Sequence, residues 1–289
     1  MNMIELIIAL SASFFLASGI VEARRGLENS DYKPCILILT LVGFIIFTPF
    51  TFLTTNFSHI SFGGVIMFLL AGVLNPGLSR LFFYKSVEKV GAVLTSSITP
   101  SSPIISAMFA VIILQENPWT GLWLGIACIV VGSILIEIGS NENSFIIKSS
   151  SWMVLPIMAS LVTGLNDVVR KQALIMLSQP LLGTTVAYVA TLSLYAIAFS
   201  LEGKITEMIN VSNLRLFWRS GVFLALGQLL SFYALNLGKV LEVAPLIYTQ
   251  PFFVFILTTA TLKKVENISW KPLLGSITMI LGIVFLSIK

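Results

Sequence analysis

The chain has 289 residues; 56% belong to the AVILMFWYC set and 10% are charged, so 17 Lys+Arg and 13 Asp+Glu cannot cover a soluble surface and a soluble fold is excluded. A single histidine, His59, rules out a multi-histidine metal site or haem pocket, and Cys35 and Cys128 lie in apolar runs without CxxC spacing, as buried small hydrophobes do. The net charge of +4 comes from basic residues scattered over short loops, a membrane-protein pattern that excludes nucleic-acid binding.

A membrane-spanning helix needs about 20 mostly apolar residues. Ten such runs follow in order: Met3–Val21, Pro34–Leu53, Gly64–Tyr84, Val90–Leu114, Thr120–Ile138, Trp152–Ala173, Leu181–Leu201, Leu216–Leu237, Leu241–Leu262 and Leu273–Ile288. They are too long and too continuous for barrel strands, so the expected fold is all-α. The first run reads as a membrane helix and not a signal peptide, because the residues before it carry no positive charge and no small-x-small cleavage site follows. The linker Gly139–Ser151 separates two halves of five spans, residues 1–139 and 152–289, and no soluble domain fits anywhere.

The halves match in detail. Gly19, Glu22 and Arg25 share their spacing with Gly164, Asp167 and Arg170; Phe83-Tyr84 matches Phe232-Tyr233; Glu116, Gly125 and Gly132 match Glu266, Gly275 and Gly282. The displacements are 145, 149 and 150 residues. Five spans is an odd number, so the second half is expected to enter from the opposite side, as an inverted repeat. The paired glycines are expected to let spans five and ten pack closely against their neighbours.

Two blocks also resemble EamA-type transporters of the drug/metabolite transporter superfamily. Arg80 to Ala92 (RLFFYKSVEKVGA) is similar to that family's junction between its third and fourth helices, and Pro103 to Glu116 (PIISAMFAVIILQE) to its proline–apolar–glutamate block. The second copy of that block, Pro251 to Glu266, is longer by two residues. The resemblance covers both halves and implies a ten-helix secondary carrier of small metabolites. Relatives in the small multidrug-resistance branch carry a glutamate in the middle of their first helix. Here Ser11-Ala-Ser13 stands there, so that coupling chemistry does not carry over. The resemblance implies cytoplasmic termini, whereas the Lys and Arg of the loops after spans one, three, five, seven and nine favour the opposite orientation.

Polar groups in hydrocarbon cost free energy unless paired or wet, which makes them the candidate site. The expected substrate-binding residues are Asn75 in span three, Ser96, Ser97 and Thr99 in span four, Asn166 in span six, Gln228 in span eight, and Tyr248 and Gln250 in span nine. Pro76, Pro100 and Pro251 accompany them and free backbone carbonyls one turn earlier. The competing reading for each Ser or Thr is a bond to its own backbone, and for Asn or Gln an interhelical tie. Glu22, Arg25, Arg80, Asp167 and Arg170 are candidate gating or ion-pair residues, with Glu22–Arg25 and Asp167–Arg170 as repeat copies at opposite faces. Trp119, Trp152, Trp218 and Trp270 sit at span edges as interface anchors, and the sequons at Asn56, Asn210 and Asn267 fall in loops on both sides, as chance matches do.

The expected activity is secondary active or facilitative transport of small metabolites, amino acids or similar polar or amphipathic solutes, by alternating access and in the direction of export. Spans one, three, four, six, eight and nine should line the cavity. The expected partners are a small-molecule substrate, a proton or ion as candidate coupling species, and the bilayer of the cell membrane, with the protein a monomer or weak dimer. No cofactor, metal or enzymatic activity is expected. The alternatives are an intramembrane lipid-modifying enzyme, which would need a catalytic cluster, and a channel, which would need a filter loop or ring of like residues.

Overall fold

The computed structural model describes residues 2–55, 60–140, 152–200, 208–261 and 270–288. His59, the sequons at Asn56 and Asn267, Glu266 and most of the central linker lie outside the described residues. Ten helices follow in order: α1 (Met3–Leu27), α2 (Tyr32–Thr54), α3 (Phe62–Lys89), α4 (Leu94–Ile113), α5 (Thr120–Ser140), α6 (Val154–Met176), α7 (Pro180–Ser200), α8 (Val211–Leu237), α9 (Val240–Ala260) and α10 (Trp270–Ser287). Among the described residues, nine are long and apolar enough to cross a membrane, and no strand occurs. The remaining helix, α6, has 23 residues and therefore the length, but it carries Asp167, Arg170 and Lys171. Its polar stretch is the first pointer to function.

Three helices break where the sequence places proline. α3 opens into a wide turn over Val73–Leu78, with Asn75 extended at φ −145°, ψ 121° beside Pro76. α4 tightens to a 3₁₀ turn at Thr99–Ser101 around Pro100, and α9 is interrupted between Ile247 and Gln250, before Pro251. A proline donates no N–H, so the carbonyl four residues earlier loses its helical partner. Three of the carbonyls freed in this way find another donor: Gly72, four before Pro76, accepts from Thr191 Oγ1 at 2.7 Å, Thr99, four before Pro103, from Ser102 Oγ at 2.9 Å, and Ile247, four before Pro251, from the Gln250 amide at 3.1 Å.

The helix packing follows an exchange of halves. α1 packs on α8 and α6 on α3; α2 on α8 and α7 on α3; α1 on α9 and α6 on α4. α5 packs on α10 alongside, each the counterpart of the other. The glycine contacts repeat this at atomic detail. A Cβ on Gly132 would stand 2.6 Å from the Gly275 carbonyl oxygen, and one on Gly282 would stand 2.7 Å from that of Gly125. Residue numbers therefore rise on one helix as they fall on the other, so α5 and α10 cross antiparallel through their paired glycines. Gly72 lies against Ala187 and Gly221 against Val42, again partners shifted by one repeat. Only glycine permits such backbone approach.

Apolar side chains cover the outside, among them Leu53, Phe62 and Ile288, and Trp152, Trp218 and Trp270 are exposed at helix edges. Cys35 is buried, but Cys128 is only half-buried, because it lies towards the outer side of α5.

A candidate substrate site at the broken helices

Asp167 and Arg170 of α6 are buried, at 4% and 3% exposure. They turn to different partners. Asp167 Oδ2 accepts from Ser106 Oγ of α4 at 2.9 Å and from the Tyr248 hydroxyl, at the α9 break, at 2.7 Å. Arg170 lies over the Phe232 ring of α8, 4.8 Å from its centroid, a cation–π contact. The fully buried Asn166 amide is oriented by its neighbours: it donates to the Ala71 carbonyl of α3 at 2.8 Å and accepts from Arg170 Nε at 2.8 Å. One turn of α6 thus touches α3, α4, α8 and α9, joining both halves at two of the three breaks.

The α3 break is held from the other side by α7. Besides Thr191 on Gly72, the Tyr195 hydroxyl donates to the carbonyls of Pro76 at 2.8 Å and Gly77 at 3.0 Å. The sequence pattern counts α7 among the outer helices; here it supplies the hydroxyls that satisfy the broken backbone. Ser79 and Thr163 tie α3 to α6 at 2.6 Å, and Ser13 and Thr249 tie α1 to α9 at 3.0 Å.

Of the other expected residues, Asn75, Ser96, Ser97, Thr99, Tyr248 and Gln250 are half-buried. Ser96 hydrogen-bonds Glu137 of α5, whose charge also faces Arg24. The Gln250 Nε2 donates one hydrogen bond within its own helix, to the Ile247 carbonyl. Gln228 is 6% exposed and its Nε2 has no partner. Arg80 is half-buried with a buried, unpartnered Nη1.

The repeat copy of the α6 pair is differently placed. Glu22 and Arg25 form a 2.7 Å ion pair, with side chains 24% and 52% exposed. Gly26 just beyond lies against Phe217 near the start of α8, whereas Arg170 lies over Phe232 near its end. Those rings are separated by roughly 22 Å of helix at 1.5 Å per residue, so the two charged pairs sit towards opposite ends of α8.

At the face where α1 begins, a second polar cluster joins the halves. α4 ends with Gln115 at φ 53° and the Glu116 N–H returning to the Ala110 carbonyl, a turn that swings Glu116 outward. Its carboxylate then accepts from Val240 N and Leu241 N, both at 2.9 Å, and caps α9. Lys171 Nζ donates beside it to the carbonyls of Leu235 and Gly238, at 2.8 and 2.9 Å, closing the end of α8. The sequence reading missed Ser106, Thr191, Tyr195 and Lys171 as site-forming residues. The available signal was their polarity or charge within otherwise apolar runs.

The comparisons agree with this architecture. A solved crystal structure superimposes with a TM-score of 0.78 over 99% of this chain and 96% of its own at 10% identity, a likeness of fold alone. The probable glucose uptake protein GlcU of Staphylococcus aureus (strain MRSA252) is 25% identical over 169 residues, covering 47% of this chain and 58% of that relative. The chain thus matches little more than half the length of that protein. The model of the EamA-like transporter family matches twice, over residues 3–138 and 150–288. The chain belongs to the EamA-like transporter family and is a multi-pass integral membrane protein.

Proposed function

We propose that the protein is a secondary carrier of small polar or amphipathic metabolites, amino acids among them, and that it works by alternating access. Its halves, residues 1–139 and 152–289, act as inverted copies that rock around the Asp167–Tyr248–Arg170 cluster. The observation that carries this reading is the unequal setting of equivalent pairs, Asp167 and Arg170 buried, Glu22 half-buried and Arg25 exposed. Two inverted copies in different conformations produce such an asymmetry, and exchanging their conformations moves access from one face to the other. The antiparallel crossing of α5 and α10 supports the inversion.

In the first half of α9 every residue from Val240 to Ile247 is buried, whereas Tyr248 and Gln250 to Phe253 are half-buried. With the Glu116 and Lys171 bonds, this supports closure at the face where α1 begins and access from the other. Asn75, Ser96, Ser97, Thr99, Gln228, Tyr248 and Gln250 then serve as polar walls, with Arg80 at the vestibule. The direction of net transport follows the solute gradient in a carrier without a nucleotide-binding loop. Export, and the uptake in the relative's name, are two uses of one cycle. The test is counterflow in proteoliposomes: saturable exchange of a preloaded solute supports the carrier, and non-saturable flux with no trans-stimulation refutes it.

A further inference from the structure

Around the α3 break and α6, two guanidinium groups face one carboxylate, and N–H donors are left over. Arg80 makes no hydrogen bond or ion pair among the described residues, and its Nη1 is buried. Gln228, 6% exposed, leaves its Nε2 without a partner, one turn along α8 from the Phe232 ring that carries Arg170. Tyr188 of α7, 2% exposed, lies within electrostatic reach of both Arg80 and Arg170, and the two guanidinium groups repel one another. Asp167 balances one of the two arginines and is already occupied by Ser106 and Tyr248. A cation left without a counter-charge at membrane depth is costly, and so is a buried unpartnered donor.

Resting on the carrier reading above, we propose that the solute bears a carboxylate, and that Arg80 is its charge partner, between Arg80 and Arg170 beside Tyr188. An anion there cancels the excess charge and relieves the repulsion, while Gln228 donates to an oxygen of the same solute. A planar guanidinium suits a carboxylate because two parallel N–H···O bonds form at once. A neutral sugar would satisfy hydroxyl geometry but leave the charge uncompensated.

The test compares solutes that differ only in the charged group, with lactate against lactamide and alanine against alaninamide, and D-glucose as the neutral polyol. Each is measured by thermal stabilisation of the purified full-length protein and by counterflow in proteoliposomes. Wild type should prefer each carboxylate over its amide at least tenfold. Arg80→Gln should bring that ratio close to one while unliganded stability changes little, and Arg80→Lys should keep part of the preference. Equal preference in wild type and Arg80→Gln overturns the proposal. So does saturable counterflow of glucose or the amides without the carboxylates, an outcome that leaves the carrier reading standing. Saturation without trans-stimulation by any solute would instead overturn the carrier. If Arg80→Gln fails to fold, the wild-type carboxylate-to-amide ratio and the Arg80→Lys variant still decide.

Discussion

The Glu116 cap offers the most direct test of closure. Its carboxylate belongs to the first half and accepts two N–H groups from the start of α9, in the second, at 2.9 Å each. Hydrogen bonds to charged groups contribute about 1.5–3 kcal/mol each. Glu116 is half-buried, so the lower end applies, and the two bonds together favour the closed arrangement by about 3 kcal/mol. At about 1.4 kcal/mol per decade, losing both shifts the equilibrium by about 100-fold. Glu116→Gln keeps the volume but loses the charge and one acceptor, so a shift of about tenfold is expected, with Glu116→Ala approaching the larger value. The assay is thiol labelling in detergent, in a Cys35→Ala/Cys128→Ala background. Ala234→Cys reports on the closed face, because Ala234 is fully buried near the end of α8; Ser97→Cys reports on the open one. In Glu116→Ala, labelling at Ala234→Cys should rise and at Ser97→Cys fall. Unchanged labelling at both sites in a folded protein would refute closure by this cap.

Asp167→Asn should abolish most transport and destabilise the protein by about 3–5 kcal/mol, because it leaves Arg170 buried without its counter-charge; Asp167→Asn/Arg170→Gln should recover thermal stability but not counterflow, and recovery of both would contradict a substrate role. Gly132→Leu should lower thermal stability by about 1–3 kcal/mol through overpacking between α5 and α10, leaving solute affinity in the surviving fraction unchanged. Thr191→Val should cost about 1–3 kcal/mol by stripping the buried Gly72 carbonyl of its donor, measured as a fall in melting temperature. If Lys171 closes the end of α8 as its two bonds indicate, Lys171→Met should raise Ala234→Cys labelling and Lys171→Arg should not.

Much of the scaffold was legible because its causes are local. Continuous apolar runs specify membrane helices, prolines specify breaks, and the repeated spacing of Gly125 and Gly132 in Gly275 and Gly282 specifies close packing, though not that the two helices cross each other. Asn166, Asp167, Arg170 and Tyr248 were legible as candidates because polar groups at membrane depth require a reason. Which of them meet was not legible, since Asp167 sits one turn from Arg170 in sequence yet bonds Ser106 and Tyr248, remote residues brought near only by packing. Gln250 shows the reverse: its position beside Pro251 marked it for a cavity, but the same proline frees the carbonyl its amide takes. The hydroxyls of α7 were passed over because helix-borne Thr and Tyr in an apolar run look alike whether they serve their own backbone or a neighbour's.

The distribution of unsatisfied groups follows from the same asymmetry that organises the helices. Prolines in α3, α4 and α9 free carbonyls, and nearby hydroxyls and amides take up those of Gly72, Thr99 and Ile247. Around α6 what remains unpartnered is of the other kind, the N–H donors of Arg80 and Gln228, whereas the unpartnered acceptor Gln179 Oε1 stands apart, just before α7. A site left with acceptors would select cations or donors, whereas one left with donors selects an acceptor, and a charged donor selects a charged acceptor. At the face where α1 begins, by contrast, the Glu116 carboxylate and the Lys171 ammonium meet backbone groups of opposite polarity at helix ends. On the proposed cycle, specificity and closure rest on separate residues. A change at Arg80 should alter which solute is carried with little effect on which face is open, and a change at Glu116 should do the converse.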